Sequence, residues 1–353
     1  MNMNFGTKRC SIAIWLILVI ALSSFNVNMY CTPGYNKSSE TVICKVIKTG
    51  TYSSEKTIYH QDFYSLKSGF LDKDENVFIL DMKSCEIFKF SPGGKLVKKV
   101  GRVGYGPGEN VKPIKIINFN DKIMVIDYMM PNINIFDYQL NLIEQKKIAK
   151  LTFPFDVDFI NEKEFIVTSP TMPMVYKHKF FIFDFDEKME MKVKADSNQD
   201  GINKNQSLDF THLPFVCFDQ KTKALWSAET GSYLIEKYDR DFNLKKVLKS
   251  DVEYKFEESK VGPSNQFSMR APKDRGVFFA VREGKIFYGY LFNDEVVLDL
   301  IVKEKSIYRF KFSNCRRILG LIDGYRLLIN TYEPGENGND EEIEKIEIIK
   351  LKY

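Results

Sequence analysis

The stretch GRVGYGPGEN, residues 101–110, concentrates four glycines and a proline and is where anion chemistry would first be sought. Glycines cradle a phosphate when backbone N–H groups can approach it and the loop runs into the N-terminus of a helix. Here the glycines fall at Gly101, Gly104, Gly106 and Gly108, so the G-x-G-x-x-G spacing fails at Glu109, and no Gly-Lys-Ser/Thr follows. The next segment, VKPIKIINF, carries Pro113 and three isoleucines, which predicts a strand. The stretch therefore predicts a connection whose glycines supply positive φ and whose Pro107 fixes a turn.

Other catalytic constellations fail on spacing. The three histidines, His60, His178 and His212, form neither H-x-x-x-H nor H-E-x-x-H, so a zinc hydrolase lacks its ligands. No G-x-S-x-G elbow and no kinase or P-loop set occurs. The six cysteines, Cys10, Cys31, Cys44, Cys85, Cys217 and Cys315, include no C-x-x-C. Those beyond Cys31 sit in apolar, strand-like runs and read as small buried hydrophobes, with a bridge such as Cys44 to Cys315 left open. The acidic loop 333–342 lacks the D-x-D-x-D-G order of an EF-hand and reads as a solvated hairpin. Arg102 and Tyr105, and Arg270 in SMRAPKDRG, sit in Gly/Pro-containing connections, where side chains are either plain surface or ligand contacts.

The elements that must position such residues are strands. The 353 residues contain 29 Phe and 18 Tyr, and hydrophobic content is 44%, which favours a packed, strand-rich chain. A net charge of +4 from 51 basic and 47 acidic residues is too balanced for a nucleic-acid footprint. Short runs of alternating apolar and polar residues, bounded by Gly, Asn, Asp and Pro, recur at a period of about 40–50 residues, the period of propeller blades. Six units emerge: 68–101, 116–148, 162–194, 221–250, 274–312, and 315–334 with 341–353. In the first two, Asp81 aligns with Asp127, Phe88 and Phe90 with Ile135 and Asp137 or positions next to them, and Leu96 with Leu142. The strand-like TVICKVIKTG, 41–50, is expected to pair within the final blade and close the ring, leaving no open edge.

Before this, Lys8 and Arg9 precede the apolar run 11–25, the pattern of an export signal or uncleaved anchor. Cys31 is a candidate lipidation site, although Asn28, Met29 and Tyr30 fit a lipobox poorly.

FILDMKSCEIFKFSPGGKLVKKVGRVGYGPGEN resembles an NHL-type blade, and residues 68–137 resemble the exported six-bladed propellers of Bacteroidetes, in which G-x-x-G-x-G-P-G-E leads into the next blade. Asn110 departs from that pattern, which usually has an aromatic there. The resemblance implies an all-β, six-bladed propeller of four-stranded antiparallel blades over 32–353, behind a signal peptide or membrane anchor at 1–31. Enzymatic six-bladed propellers similar to gluconolactonase hold calcium on the axis with oxygens from several blades. Asp81, Asp127, Glu229, Asp294 and Asn330 are the corresponding sort of residue here, although Asp at a strand end is ordinarily a turn former. The expected function is that of an exported, periplasmic or envelope-associated binding or scaffolding module without a cofactor. Arg102, Tyr105 and Arg270 are its ligand contacts and an envelope protein, peptide or glycan its partner. The alternative is a calcium-dependent gluconolactonase-like hydrolase using Asp81, Asp127 and Glu229.

Overall fold

The computed structural model describes residues 39–130, 132–148, 151, 153–169, 178–185, 191–196, 213–251, 275–333 and 342–353. The targeting segment with Cys31, as well as His212, Arg270 and most of the acidic loop, lies outside the described residues. No helix among the described residues is long and apolar enough to cross a membrane.

The described secondary structure is all β, and it forms six blades. Blade 1 is β3 (Leu66–Leu71), β4 (Val77–Asp81), β5 (Glu86–Phe90) and β6 (Leu96–Val100). Blade 2 is β7 (Pro113–Phe119), β8 (Lys122–Asp127), β9 (Asn132–Phe136) and β10 (Leu142–Lys147). Blade 3 is β11 (Asp156–Phe159), β12 (Glu164–Thr168), β13 (His178–Asp184) and β14 (Met191–Asp196). Blade 4 is β15 (Pro214–Asp219), β16 (Ala224–Glu229), β17 (Ser232–Tyr238) and β18 (Leu244–Ser250). Blade 5 is β19 (Arg275–Arg282), β20 (Lys285–Phe292), β21 (Glu295–Val302) and β22 (Ser306–Phe312). Blade 6 is β23 (Cys315–Leu321), β24 (Arg326–Glu333), β25 (Ile343–Lys352) and β2 (Thr51–Tyr59).

Each blade is an antiparallel meander, and its first strand touches the first strands of both neighbours: β3, β7, β11, β15, β19, β23 and β3 again. That closed circuit makes the first strands the lining of the axis. Second strands lie between adjacent blades and are buried on both faces, so VFILD is apolar up to its final Asp. The outer strand LVKKV, with one face on solvent, alternates. Phenylalanines fill the seams: Phe119 of blade 2 stacks on Phe159 of blade 3 with centroids 3.5 Å apart. The closing seam is tighter, because a Cβ on Gly320 of β23 would come within 2.2 Å of the carbonyl oxygen of Gly69 on β3.

Ring closure differs from the expectation for 41–50. That segment is β1 (Glu40–Thr49), and it does not enter blade 6. Its first half pairs in parallel with β18, Glu40 opposite Lys246, and its second half in parallel with β22, Lys45 opposite Ser306. The next strand, β2, closes blade 6 by pairing with β25. β1 and β2, with Gly50 between them, thus form one belt lacing the rims of blades 4, 5 and 6. In the third strands the alignment falls one residue from the named positions: Phe88 and Phe90, opposite Ile79 and Val77, correspond to Asn134 and Phe136, opposite Val125 and Ile123. Asp81 with Asp127 and Leu96 with Leu142 align as expected.

Candidate functional site

The starts of the six first strands bring ionisable side chains to the axis on the face where each blade receives the chain from its predecessor. These are Lys67 on β3, Lys115 on β7, Asp156 and Asp158 on β11, Cys217 on β15, Arg275 on β19 and Arg317 on β23.

One arc of this ring is self-satisfied. Lys115 Nζ lies 2.5 Å from Asp156 Oδ1 and donates to the carbonyl of Val157 at 2.8 Å. Asp156 Oδ2 accepts the N–H of Val216 at 2.9 Å, and Asp158 accepts the N–H groups of Phe218 and Phe159 at 2.7 and 2.9 Å. Burial alone would lower the Lys115 pKa, but Asp156 and Asp158 outweigh it and hold the ammonium above its ordinary value. Asp158 is raised because burial outweighs Lys115 and the two N–H donors. Cys217 exchanges hydrogen bonds with the backbone of Val281, and burial drives its thiol pKa well up.

The other arc is cationic. Lys67 makes no hydrogen bond or ion pair among the described residues. Burial, and then the Arg317 guanidinium, push its pKa down to about 7; Arg275 and Lys112 add to this and Asp156 opposes it. Arg317 Nη1 donates to the carbonyl of Leu66, beside Lys67, at 3.3 Å, which fixes the two cations as neighbours across the closing seam. Burial and Arg275 lower Arg317 too.

Asp81 and Asp127 do a different job. Asp81 Oδ2 accepts the N–H groups of Tyr64 and Ser65, and Oδ1 those of Lys83 and Ser84, at 2.7–3.0 Å. Asp127 repeats this with Val111 and Lys112, Met129 and Met130. Each carboxylate clamps the approach to a first strand onto the turn after a second strand, using its acceptors on backbone donors. Glu229 ends β16 and its carbonyl accepts the Tyr288 hydroxyl at 2.9 Å. Asp294 lies in the β20–β21 turn with φ 64°, and Asn330 donates within blade 6 to the carbonyl of Lys345 at 3.2 Å. Among the described residues no three His, Cys, Asp or Glu side chains gather as metal ligands.

The Gly-rich connection supplies its own anion. Glu109 Oε2 accepts the N–H of Gly106 at 2.8 Å and Glu109 Oε1 pairs with Arg102 Nε at 2.5 Å. A Cβ on Gly104 would sit 2.0 Å from that carboxylate, so a larger residue there would have to displace the Glu109 side chain. Gly101 and Gly108 take positive φ, 102° and 75°. Asn110, where an aromatic was expected, is buried and accepts from Asn134 at 3.0 Å. Arg102 is therefore tied to its own loop, whereas Tyr105 is 80% exposed. Tyr64 and Met129, on the same face, are 54% and 53% exposed. His60 is a turn residue against Phe63, Phe88 and Phe90, and Cys44, Cys85, Cys217 and Cys315 are all free.

Lys67, Lys115, Arg275 and Arg317 were not among the residues singled out from sequence. The signal that finds them is positional: each lies within the first three residues of its blade's first strand.

Solved structures with this architecture superimpose over most of the chain. A Bacteroides fragilis protein of the exported class gives a TM-score of 0.59 at 12% identity, covering 89% of this chain and 100% of that one. A DUF4221 family member from Bacteroides vulgatus gives 0.51 at 12% identity, covering 86% and 99%. The PQQ-bound aldose sugar dehydrogenase of Streptomyces coelicolor gives 0.51 at 11% identity, covering 87% and 100%. At these identities the likeness is one of fold. No curated protein matches the sequence. The profile of the DUF5128 family, described as 6-bladed beta-propeller, matches residues 65–325, from the approach to β3 into blade 6. With its six sheets in a closed ring, the chain belongs to the DUF5128 family of 6-bladed beta-propellers.

Proposed function

We propose that the protein is an exported binding module that receives its ligand at the axial mouth on the face where the first strands begin. The observation that carries this reading is the pairing, on one face, of exposed Tyr64, Tyr105 and Met129 with the ionisable axial groups. Exposed apolar side chains beside convergent polar groups are what a recognition surface requires. Export rests on Lys8, Arg9 and the apolar run 11–25, and the periplasm or envelope is the proposed location. Kinship to NHL-type propellers rests on the GRVGYGPGEN connection. Arg102, Tyr105 and Arg270 are the proposed rim contacts, with Arg102 released from Glu109 on binding, and an envelope protein, peptide or glycan is the proposed partner.

The test is native mass spectrometry of protein recovered from envelope extract, comparing wild type with the Arg102→Ala, Tyr105→Ala, Arg270→Ala triple variant. A folded triple variant that retains every ligand defeats the rim assignment. The calcium-dependent gluconolactonase-like alternative would require Asp81 and Asp127 to surrender backbone donors, and it predicts an activity abolished by chelation.

A further inference from the structure

We propose that the axial mouth binds the oxyanion of a small organic acid, a carboxylate or sulfate, gripped by Lys67 and Arg317 from the first and last blades with Arg275 beside them. This rests on the binding reading above and names the chemistry of its ligand.

A partly buried ammonium that makes no ion pair or hydrogen bond destabilises the fold unless a counter-ion reaches it. Among the described residues no carboxylate pairs with it. Asp156, the carboxylate that acts on Lys67, already holds Lys115 and the N–H of Val216, while Asp158 holds Phe218 and Phe159. Arg317 commits one of its N–H groups to the Leu66 carbonyl, and its planar fork has further donors suited to a carboxylate or sulfate. Glu344, which acts on Arg317, already pairs with Arg316 at 3.4 Å. A metal cation is the wrong sign for this arc. A nucleic acid needs a basic stripe, whereas the chain's charge is nearly balanced. An oxyanion relieves the repulsion between Lys67 and Arg317, and the exposed rings of Tyr64 and Tyr105 on the same face suit the organic part of the ligand.

Protonation follows. The charges that act on Lys67 are Lys112 beside β7, Asp156 on β11, Arg275 on β19 and Arg317 on β23. Its pKa in the free protein is lowered to about 7, so it carries its charge below that pH and loses it above. Anion affinity should therefore be greatest below pH 7 and fall as pH rises through it.

The experiment is isothermal calorimetry with thermal melting on the intact protein, at fixed ionic strength, using glucuronate, sulfate and, as neutral control, glucose. Wild type should bind glucuronate or sulfate, melt higher with it, and ignore glucose. Binding of glucuronate without sulfate identifies a carboxylated organic ligand; binding of both identifies a general oxyanion seat. Lys67→Met should melt higher than wild type without ligand and lose at least about tenfold in affinity. Lys67→Arg should keep binding and lose the pH dependence. Equal affinity of wild type and Lys67→Met, or no binding of either anion by wild type, overturns the proposal. If the anions fail while the rim triple variant still loses its ligand, only the oxyanion chemistry fails. If they bind but that variant retains its ligand, the rim assignment fails and the axial seat stands.

Discussion

Replacing Asp81 by Asn changes one oxygen to an amide and leaves the side-chain shape nearly intact. Asp81 is fully buried and accepts four backbone N–H groups, two on each oxygen. An Asn can keep one pair and must turn its own NH₂ toward the other. A hydrogen bond to a charged group contributes about 1.5–3 kcal/mol, so losing the Tyr64 and Ser65 pair, or the Lys83 and Ser84 pair, should destabilise by about 3–6 kcal/mol. The loss should be the same in calcium and in EDTA, because the partners are backbone donors. Urea denaturation followed by far-ultraviolet circular dichroism, in both buffers, measures it, and Asp127→Asn is the matched second case. If Asp81→Asn is as stable as wild type, the clamp is not what holds this corner. If it is destabilised only when calcium is present, the carboxylate serves a metal and the alternative reading gains.

Gly320→Ala should cost about 1–3 kcal/mol by forcing β23 from β3, whereas Gly93→Ala, whose Cβ would meet nothing nearer than 3.8 Å, should be neutral; thermal melts compare them. A chain starting at Gly50 should keep a closed ring, since β2 remains, yet melt lower and self-associate through the uncovered edges of β18 and β22; size-exclusion chromatography reads this, and unaltered behaviour would show the belt to be dispensable. At Glu304, burial pushes the pKa up, but Lys237 and Lys246, at 2.6 and 2.7 Å, outweigh it and hold the carboxyl below its usual value. Its stabilisation is therefore present above the unfolded pKa and lost as pH falls through the depressed folded value, so Glu304→Gln should be less stable than wild type at pH 7 and match it at low pH.

Second and third strands were the most legible in sequence, because strands enclosed between blades, such as VFILD and ALWSAE, must be buried along their length. First strands of blades 3 and 4, DVDF and PFVCFD, escaped the unit boundaries. DVDF has only four residues and places two aspartates at the axis where a packed strand would have apolar residues. The same cause hid Lys67 and Arg317, since a cation in an alternating strand reads as a solvent-facing residue. Closure was assigned to the wrong strand for a related reason. TVICKVIKT is the more apolar of the two N-terminal strands because Val42 and Cys44 are buried in the core beneath blades 4 and 5. The strand that does close the ring, TYSSEKTIY, lies on the outer rim and is largely polar. Apolarity marked the depth of the environment, not the blade.

The belt also imposes an order on the birth of the molecule. Its partners β18, β22 and β25 are made long after it, and Cys44 Sγ reaches the carbonyl of Glu304 across 260 residues of chain. Contacts so distant are slow to form, and a chain made from its N-terminus presents β1 unpaired until blades 4 and 5 arrive and β2 unpaired until blade 6 does. The first four blades can stack progressively, but the rim is laced only after the final strand is delivered. The protein thereby stays unfinished, and able to be threaded, for the whole of its synthesis, and a chain that loses β25 leaves β2 unpaired for proteases to find.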